Sequence, residues 1–303
     1  MNLNGKKILF VYNPKAGKGK IKTHLPDVLD IFTQAGAAVT IHPTQDRYDA
    51  VEVVKNREKG AFDCIVCSGG DGTLDEVVTG MVDSEEKIPI GYIPAGSTND
   101  FAKSLDISSN MLEAAHGIVD GNEFPCDVGR FNEDAFVYIA AFGLFTEVSY
   151  ETDQQMKNVL GHMAYILEGA KSLSSIKPYQ IKVESEEGIF EGEFIYGMIT
   201  NSISVGGFKH ITGKDVELDD GKFEVTLVRC PKSLGDLNNL ATGLLTQKMD
   251  SKELLHFKTS YLKIKSDEEI SWTLDGEYGG TYKEVSIKNE KRAISMICDK
   301  KET

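Results

Sequence analysis

The chain has 303 residues, which is enough for about two domains that each bury a core. Its net charge of −14 disfavours binding to the general surface of nucleic acid or of a strongly anionic membrane, and we expect no nucleic-acid partner. The longest apolar run, 135–145, is too short to span a bilayer, and no secretory signal opens the chain, so a cytoplasmic location is expected.

Strand and helix patterns alternate over roughly the first 120 residues. Four strands are predicted: Ile8–Tyr12, Ala38–His42, Cys64–Cys67 and Ile90–Ile93. A first helix is predicted from four apolar residues at helical spacing: Leu25, Val28, Leu29 and Phe32. A second helix pattern runs from about Tyr48 to Lys59 and stops at Gly60. This alternation predicts a doubly wound α/β domain with a parallel sheet over residues 1–126.

The stretch Gly69–Thr73, with the sequence GGDGT, lies between the third predicted strand and a helix start. A glycine loop at this point presents N–H groups and the positive end of the helix dipole, which together favour phosphate. Asp71 would repel phosphate unless a divalent cation lies between them. Thr73 and Glu76 have the spacing of a capping box, which predicts Thr73 as the N-cap. A purely structural turn is the alternative, but the full order of the stretch favours a phosphate site.

Polar or glycine-rich clusters follow all four predicted strands. Asn13–Gly17 follows the first strand, Thr44 the second, Gly69–Thr73 the third and Pro94–Asp100 the fourth. These positions meet at the edge where open α/β sheets bind ligands. The first cluster is also basic, which suits a polyphosphate although no Walker A motif is present; its lysines are Lys15, Lys18, Lys20 and Lys22.

Two of the five cysteines, Cys64 and Cys67, form a CxxC pair on the third predicted strand. An odd separation on a strand directs the two side chains to opposite faces, so they cannot chelate one ion together. No disulfide pattern is present. We therefore interpret them as buried structural residues.

After about Asp127 the pattern changes to short alternating segments separated by acidic and glycine turns. The segments are Tyr179–Val183, Phe190–Ile199, Phe223–Val228, Tyr261–Lys265 and Ile270–Leu274. We predict a second, mostly antiparallel β-sandwich-like domain over 127–303, with helical interruptions near 154–174 and 233–247. Whether the C-terminal segment packs back on the first domain is left open.

Two acidic glycine turns in this second region carry candidate chemistry. Asp275-Gly276-Glu277 is either a plain turn or, if that end faces the phosphate loops, the source of a general base at Glu277. Asp219-Asp220-Gly221 is either a simple turn or a site for a hard cation, which would bind the carboxylate and the turn carbonyls.

Taken together, these motifs resemble the soluble bacterial diacylglycerol kinases and their lipid-kinase relatives over nearly the whole chain. The segments that carry the resemblance are Asn13-Pro14 with Gly17, Gly69–Thr73 followed by Glu76–Val78, Pro94–Phe101, Val148–Thr152, Leu218–Gly221 and Leu274–Gly280. GGDGT is shared with nicotinamide-dinucleotide kinases and, more distantly, with phosphofructokinases. PAGSTNDF and DGEYGG are more specific and favour the lipid kinases.

The resemblance implies an ATP-binding α/β domain, a β-rich lipid domain and a site in the cleft between them. It implies that ATP is held by Asn13, Pro14, Lys15, Ala16, Gly17, Thr44, Gly70, Asp71, Gly72, Thr73, Leu74, Asp75, Glu76 and Thr98. It also implies that Asp71 connects to Mg²⁺ and that Glu277 accepts the proton. A second, structural Mg²⁺ would be bound by the Asp220 side chain and by the carbonyls of Glu217 and Lys222.

One position departs from the family pattern. Asp75 stands where relatives commonly carry asparagine, so the loop reads GGDGTLD. An extra negative charge is tolerable near a helix N-terminus. Close to nucleotide phosphates, however, it is expected to weaken ATP binding or to require more magnesium.

The function expected from the resemblance is Mg²⁺-dependent phosphorylation of diacylglycerol by ATP, giving phosphatidic acid. The nearest alternative is the same chemistry on a sphingoid base, another lipid alcohol or NAD, and PAGSTNDF and DGEYGG disfavour NAD. A non-catalytic nucleotide- or lipid-binding module is the other alternative, which the presence of Asp71 and Glu277 disfavours. We expect peripheral, transient contact with a membrane surface, and a homodimer is left open.

Overall fold

The computed structural model describes residues 2–144, 177–205, 208–209, 216–246 and 252–299. The chain divides into two compact units, the first containing Met1–Val128 with Lys291–Thr303 and the second containing Gly129–Glu290. The predicted helix near 154–174 and the segment Val148–Thr152 lie outside the described residues. Within the described parts of the chain, no helix combines the length and the hydropathy needed to cross a membrane.

The first unit alternates strands and helices, as the sequence pattern predicts. Its strands are β1 (Lys7–Tyr12), β2 (Ala38–Pro43), β3 (Cys64–Gly69) and β4 (Ile90–Pro94). Its helices are α1 (Ile21–Gln34), α2 (Asp49–Lys55), α3 (Asp71–Val82), α4 (Asp100–Ser104) and α5 (Met111–Asp120). β1 pairs in parallel with β2 and β3, and β3 pairs in parallel with β4, so the order is β4-β3-β1-β2.

Helices cover both faces of this sheet. On one face, Phe10 and Val66 share a core with Val28 and Phe32 of α1 and with residues of α5. Side chains alternate along a strand, so Cys67 belongs to the opposite face, where it is also fully buried. α3 contacts β3, and α2 packs on α3. The predicted doubly wound α/β form of this unit is therefore present.

The cysteines occupy the positions expected of structural residues. Cys64 lies in the core that β3 shares with α1, whereas Cys67 is buried outside that cluster. Burial raises the pKa of the Cys64 thiol to about 12, and burial also raises the pKa of the Cys67 thiol. All five cysteines are free thiols.

The predicted capping box at Thr73 and Glu76 is wrong. Helix α3 begins at Asp71, and its N-cap is Gly70 in an extended conformation. Gly70 serves as a cap because glycine pays little penalty at that position, and Asp71 in the first turn complements the helix dipole. The Glu76 carboxylate instead accepts the N–H groups of Tyr48 (3.0 Å) and Ala50 (3.3 Å) at the start of α2.

The second predicted helix is shorter than expected. It begins at Asp49, after Tyr48 in a left-handed conformation with φ +67°, and it ends at Lys55. The expected continuation to Lys59 does not form because Asn56 leaves the helical conformation, with ψ of 9°.

The second unit is built mostly from strands. Two strands cross the boundary between the units: β5 (Asn122–Phe131) and β15 (Glu277–Cys298). The other strands are β6 (Asp134–Phe136), β7 (Ile139–Gly143), β8 (Tyr179–Ser185), β9 (Gly188–Thr200), β10 (Ser204–Val205), β11 (Phe208–Lys209), β12 (Phe223–Arg229), β13 (Leu254–Thr259) and β14 (Tyr261–Leu274). Among the residues that the structure describes, the helix α6 (Leu234–Thr246) agrees with the interruption predicted near 233–247.

Strand pairing in the second unit is antiparallel, in the order β13-β12-β9-β7-β14-β15. β8 also pairs with both β9 and β14, at other residues of these strands than β7 does. The two segments predicted at Tyr261–Lys265 and Ile270–Leu274 form one strand, β14, whose pairing with β15 shifts register between them. Phe136 of β6 stacks on Phe223 of β12 with ring centroids 5.5 Å apart. Apart from β10 and β11, the described strands here belong to one sheet with a shared core, and the sandwich-like form stays a prediction.

The contact between α2 and α3 predicts a stability difference between two glycine variants. A Cβ added at Gly80 of α3 would lie 2.7 Å from the Val51 carbonyl oxygen and 2.9 Å from the Val54 Cβ. Gly80→Ala should therefore lower the free energy of unfolding by about 1–3 kcal/mol. Urea denaturation is the measurement. Gly117→Ala in α5 is the control, since its Cβ would meet nothing within 4 Å and should raise stability by up to about 1 kcal/mol. Equal effects of the two variants would contradict the packing described.

Candidate functional site

The segments that follow the four parallel strands are joined by main-chain hydrogen bonds. Three of these bonds link neighbouring strand ends: Thr44 N–H to Tyr12 C=O (2.9 Å), Asn13 N–H to Ser68 C=O (2.9 Å) and Ala95 N–H to Gly69 C=O (2.7 Å). The predicted clusters after the four strands are thus brought together at one edge of the sheet. Ligands bind at this edge in open α/β folds.

Three of these loops approach one another so closely that only glycine fits at positions 17 and 96. A Cβ at Gly17 would lie 2.0 Å from the Ala95 carbonyl oxygen, and Gly17 has a left-handed φ of +54°. A Cβ at Gly96 would lie 2.7 Å from the Cα of Gly70. Main chain without side chains is what a phosphate group needs in order to reach backbone N–H donors. We call this group (Gly17, Gly70 and Gly96) the glycine cradle.

The fourth loop is held in place by Asn99, a residue that the sequence does not single out as a site residue. Its Oδ1 accepts the N–H of Gly96 (3.0 Å), and its Nδ2 donates to the Gly96 carbonyl (3.0 Å). Asn99 has φ of +50°, a conformation that asparagine tolerates better than most residues. The signal in the sequence was the asparagine after Gly-Ser-Thr, a residue type that bonds local main chain.

The side-chain hydroxyl of Tyr92 links the third loop to Asn99 of the fourth loop. Its hydroxyl donates to the Gly69 carbonyl (3.1 Å) and lies 3.3 Å from Asn99 Oδ1. Burial, followed by the negative charge of Asp71, raises the pKa of Tyr92 well above its ordinary value. The hydroxyl therefore stays protonated and remains a donor to the loop.

Asn13 and Thr73 link the first and third loops. Asn13 Nδ2 donates to Thr73 Oγ1 (3.4 Å), and Asn13 Oδ1 accepts the N–H of Lys15 (2.9 Å). The remaining predicted residues of the first loop, Pro14 and Ala16, are half-buried beside them, and Lys15 is exposed. Thr98 is half-buried in the fourth loop.

Two predicted ATP residues use their side chains elsewhere. The side chain of Leu74 is fully buried in the core. The Glu76 carboxylate is bonded to the start of α2, as described above. Both residues therefore position α3 through their side chains, and any contact with a ligand is left to their main chain.

Asp71 and Asp75 supply carboxylates beside the glycine cradle. They lie four residues apart in α3, so they share one face of the helix, and both are half-buried. Carboxylate oxygens are hard ligands that suit Mg²⁺, which is commonly held by one or two carboxylates together with substrate phosphates. In the described part of the chain, no three His, Cys, Asp or Glu residues are grouped as a metal cluster. These residues therefore fit a magnesium ion that is held jointly with a nucleotide.

Glu277 is the first residue of β15, directly after a two-residue hairpin turn. Leu274 of β14 pairs with Glu277, and the turn residues Asp275 and Gly276 have φ of +50° and +85°. This is the pattern of a type I′ turn, for which Asp-Gly is a preferred sequence. Asp275 is buried, whereas the side chain of Glu277 is exposed. The turn thus separates its two carboxylates, one inward and one outward.

The predicted structural metal turn at Asp220 already contains a cation, the ammonium of Lys258. Asp220 Oδ1 accepts the N–H of Lys222 (2.8 Å), and Asp220 Oδ2 lies 3.4 Å from Lys258 Nζ. Lys258 Nζ also lies 3.1 Å from Glu224 Oε1, whose side chain is almost fully buried. The third predicted ligand residue, Glu217, is exposed. The oxygen donors suit a hard cation, which would share Asp220 with Lys258.

A parallel sheet with a glycine-lined edge is the arrangement found in α/β proteins that bind phosphate. A family model described as the diacylglycerol kinase catalytic domain matches residues 7–131. A diacylglycerol kinase of Bacillus subtilis (strain 168) is 35% identical over 304 residues, covering 97% of this chain and 100% of the relative. One from Staphylococcus haemolyticus is 32% identical over 291 residues, with 96% and 87% covered. The chain therefore belongs to the diacylglycerol kinase family.

Solved structures agree with the mixed α/β, mostly sheet fold. A Bacillus anthracis protein superposes with a TM-score of 0.83 at 25% identity, covering 97% of this chain and 95% of that one. A crystal structure of a diacylglycerol kinase from the same organism has a TM-score of 0.74 at 23% identity, with 97% of both chains covered. The second comparison bears on the fold alone.

The burial of Glu224 predicts a pH dependence of stability. Desolvation, opposed by Lys258, raises the pKa of Glu224 from 4.5 to about 7. Between these two values the folded protein holds a proton that the unfolded chain releases, so stability falls as the pH rises through the window. Glu224→Gln should remove this fall. From about pH 5 to pH 7.5, the wild type should lose on the order of 2 kcal/mol more of its free energy of unfolding than the variant.

Urea denaturation at the two pH values measures the difference. Glu187→Gln, at an exposed turn of the same unit, is the control and should follow the wild type. Parallel stability curves for wild type and Glu224→Gln would contradict the raised pKa.

Proposed function

We propose that this protein is an ATP-dependent lipid kinase that phosphorylates the hydroxyl group of diacylglycerol to give phosphatidic acid. Membership of the family over nearly the whole chain supports the reaction class. The observation that carries the ATP site is the glycine cradle, where three loops meet with no room for a side chain at Gly17 or Gly96. We assign ATP to an α/β domain over 1–126 and the lipid to a β-rich domain over 127–303, of which the part from Lys291 onward belongs to the first compact unit.

ATP binds along the carboxyl edge of the parallel sheet in this proposal. The main chain of Asn13–Gly17 and Gly70–Glu76 lines the phosphates, and the positive end of the α3 dipole favours their charge. Thr44 and Thr98 lie at the ends of the neighbouring loops and complete the site. Lys15 adds a positive charge at the exposed rim.

Asp71 holds magnesium in this proposal, and Asp75 is a second carboxylate on the same face of α3. When bound, the ion neutralises charge on the β- and γ-phosphates. The half-buried position of both residues beside the glycine cradle supports this role. Because Asp75 adds negative charge near the phosphates, we expect ATP binding here to need more magnesium than with asparagine at this position.

Glu277 is the proposed general base. As the acceptor oxygen forms its bond to the γ-phosphorus, Glu277 takes the hydroxyl proton, and the bond from the γ-phosphorus to the ADP oxygen breaks. The exposed side chain of Glu277 supports this role. Asp275 is less suited to act as the base, because its carboxylate is buried. The role requires one acceptor hydroxyl to reach both Glu277 and the γ-phosphate.

Three further assignments complete the proposal. Because the acceptor is a membrane lipid, the enzyme makes transient, peripheral contact with a membrane surface. A structural magnesium ion is bound by Asp220 with the carbonyls of Glu217 and Lys222, and it shares Asp220 with Lys258. A homodimer is compatible with this chemistry, since all the proposed catalytic groups belong to one chain.

The decisive experiment follows labelled phosphate from ATP into different acceptors. We expect Glu277→Gln and Asp71→Ala each to lower turnover on diacylglycerol by about 100-fold or more with the melting temperature preserved, because each removes a group that acts in the transition state. Glu187→Gln, an exposed glutamate in a different hairpin, should keep wild-type turnover. Near-normal turnover of Glu277→Gln would remove its role as base.

The same assay separates the acceptors. Diacylglycerol, sphingosine, other lipid alcohols and NAD are offered in parallel, and label in phosphatidic acid is the expected result. Label in NADP without labelled lipid would overturn the lipid assignment. No product with any acceptor would favour a non-catalytic binding module.

The glycine cradle is tested separately by ATP binding. Gly96→Ala places a methyl group 2.7 Å from the Cα of Gly70 and 2.8 Å from Asn99 Oδ1. We expect the dissociation constant for Mg-ATP, measured by calorimetry, to rise about tenfold or more because the loops must separate. Gly117→Ala, where the added methyl group meets nothing within 4 Å, should bind as the wild type does. Unchanged affinity in Gly96→Ala would place the nucleotide elsewhere.

A further inference from the structure

The buried carboxylate of Asp275 accepts hydrogen bonds from the main chain of a neighbouring segment, Val137–Ile139. We call these contacts the Asp275 clasp. Asp275 is 5% exposed, and its two oxygens accept three consecutive N–H groups. Oδ2 accepts from Val137 (2.6 Å), while Oδ1 accepts from Tyr138 (3.0 Å) and Ile139 (2.9 Å). Hydrogen bonds from main chain to a carboxylate are stronger than those between neutral groups. The proposed kinase chemistry leaves this carboxylate without a role.

The main chain of the same residue is fixed as well. The N–H of Asp275 donates to the Ile139 carbonyl (2.8 Å), and the Tyr138 hydroxyl donates to the Asp275 carbonyl (3.0 Å). Five hydrogen bonds therefore join one turn residue to Val137, Tyr138 and Ile139, at the passage from β6 into β7. That residue is held in a left-handed conformation with φ of +50°.

Glu277 follows this turn with only Gly276 between them. Glycine at φ +85° has the most backbone freedom of any residue, so by itself it does not fix the direction of the strand that follows. Leu274 pairs with Glu277 on one side of the turn, and the Asp275 clasp anchors the turn to Val137–Ile139 on the other. The direction of the Glu277 side chain depends on both restraints.

We propose that Asp275 and Tyr138 are positioning residues that hold Glu277 in place for proton transfer. This inference rests on the proposed role of Glu277 as base. In the Asp-Gly-Glu turn, one carboxylate faces inward and fixes the main chain, while the other faces outward and reacts. A misplacement of about 1 Å in a reacting group is enough to lower turnover by orders of magnitude.

Asp275→Asn is the sharpest variant. Asparagine keeps the shape of aspartate but replaces one acceptor oxygen with an NH₂ donor. In either orientation of the amide, this donor faces at least one of the three N–H groups. We expect kcat to fall about tenfold or more, while the KM for ATP stays within about twofold, because the ATP loops belong to the other unit.

Tyr138→Phe is the milder second variant. It removes only the hydroxyl that donates to the Asp275 carbonyl and keeps the ring in the core. A kcat loss of roughly threefold to tenfold is expected, again without a change in the KM for ATP. Because this variant keeps the carboxylate clasp, it folds even if Asp275→Asn does not.

The readout that separates positioning from general stability is coupling to Glu277. In a Glu277→Gln background there is no base to position, so Asp275→Asn and Tyr138→Phe should lower the residual turnover by no more than about twofold. Asp127→Asn is the matched control, since Asp127 is a buried aspartate of the first unit that accepts the N–H of Arg292 (2.7 Å). It should lower the melting temperature without any coupling to Glu277.

Each outcome decides the inference. A kcat loss that disappears in the Glu277→Gln background supports it. Equal kcat losses in both backgrounds would show that the Asp275 clasp is only structural. A lowered melting temperature with unchanged kcat would show the same, and neither result would affect the assignment of Glu277 as base. Near-normal turnover of Glu277→Gln alone would overturn the base assignment and, with it, the positioning role.

Discussion

The loops at the carboxyl edge of the parallel sheet are in direct contact through their main chains, and the rest of the first unit depends on this contact. Gly17 lies against the Ala95 carbonyl and Gly96 lies against Gly70, so three loops share a space from which side chains are excluded. A phosphate group is recognised best by such a surface, because its oxygens can approach N–H donors directly. The closeness also ties the loops together, so a change in one glycine disturbs the others.

The helices behind this edge are fixed by groups that serve the fold and the site together. Glu76 lies on α3 only a few residues from the cradle, yet its carboxylate accepts the first N–H groups of α2. Tyr92 and Asn99 hold the fourth loop through the Gly69 and Gly96 main chain. The position of Asp71 at the start of α3 therefore depends on the α2–α3 packing and on the loop after β4. A substitution at one of these residues is therefore expected to change both the packing of the helices and the geometry of the proposed site.

The alternating pattern predicted the four parallel strands, because buried strands of α/β folds consist of short apolar runs between glycine and polar loops. It did not predict that Gly70 caps α3, since the spacing of Thr73 and Glu76 matches a capping box while the actual partner of Glu76 lies on α2. The clusters after the strands were found, but Asn99 was not, because its partners are main-chain atoms of its own loop. For Asp275 and Glu277, composition could not tell which carboxylate turns inward, since that depends on pairing with Val137–Ile139.

The buried thiols of β3 allow local opening of the first unit to be measured by chemical labelling. Cys64 and Cys67 are fully enclosed on the two faces of a central strand, and their raised pKa values keep them as unreactive thiols in the native state. An alkylating reagent can reach them only when the helices leave the sheet. The rate at which β3 becomes labelled therefore measures how often the first unit opens, and a ligand that bridges the loops at the carboxyl edge of the sheet would lower that rate.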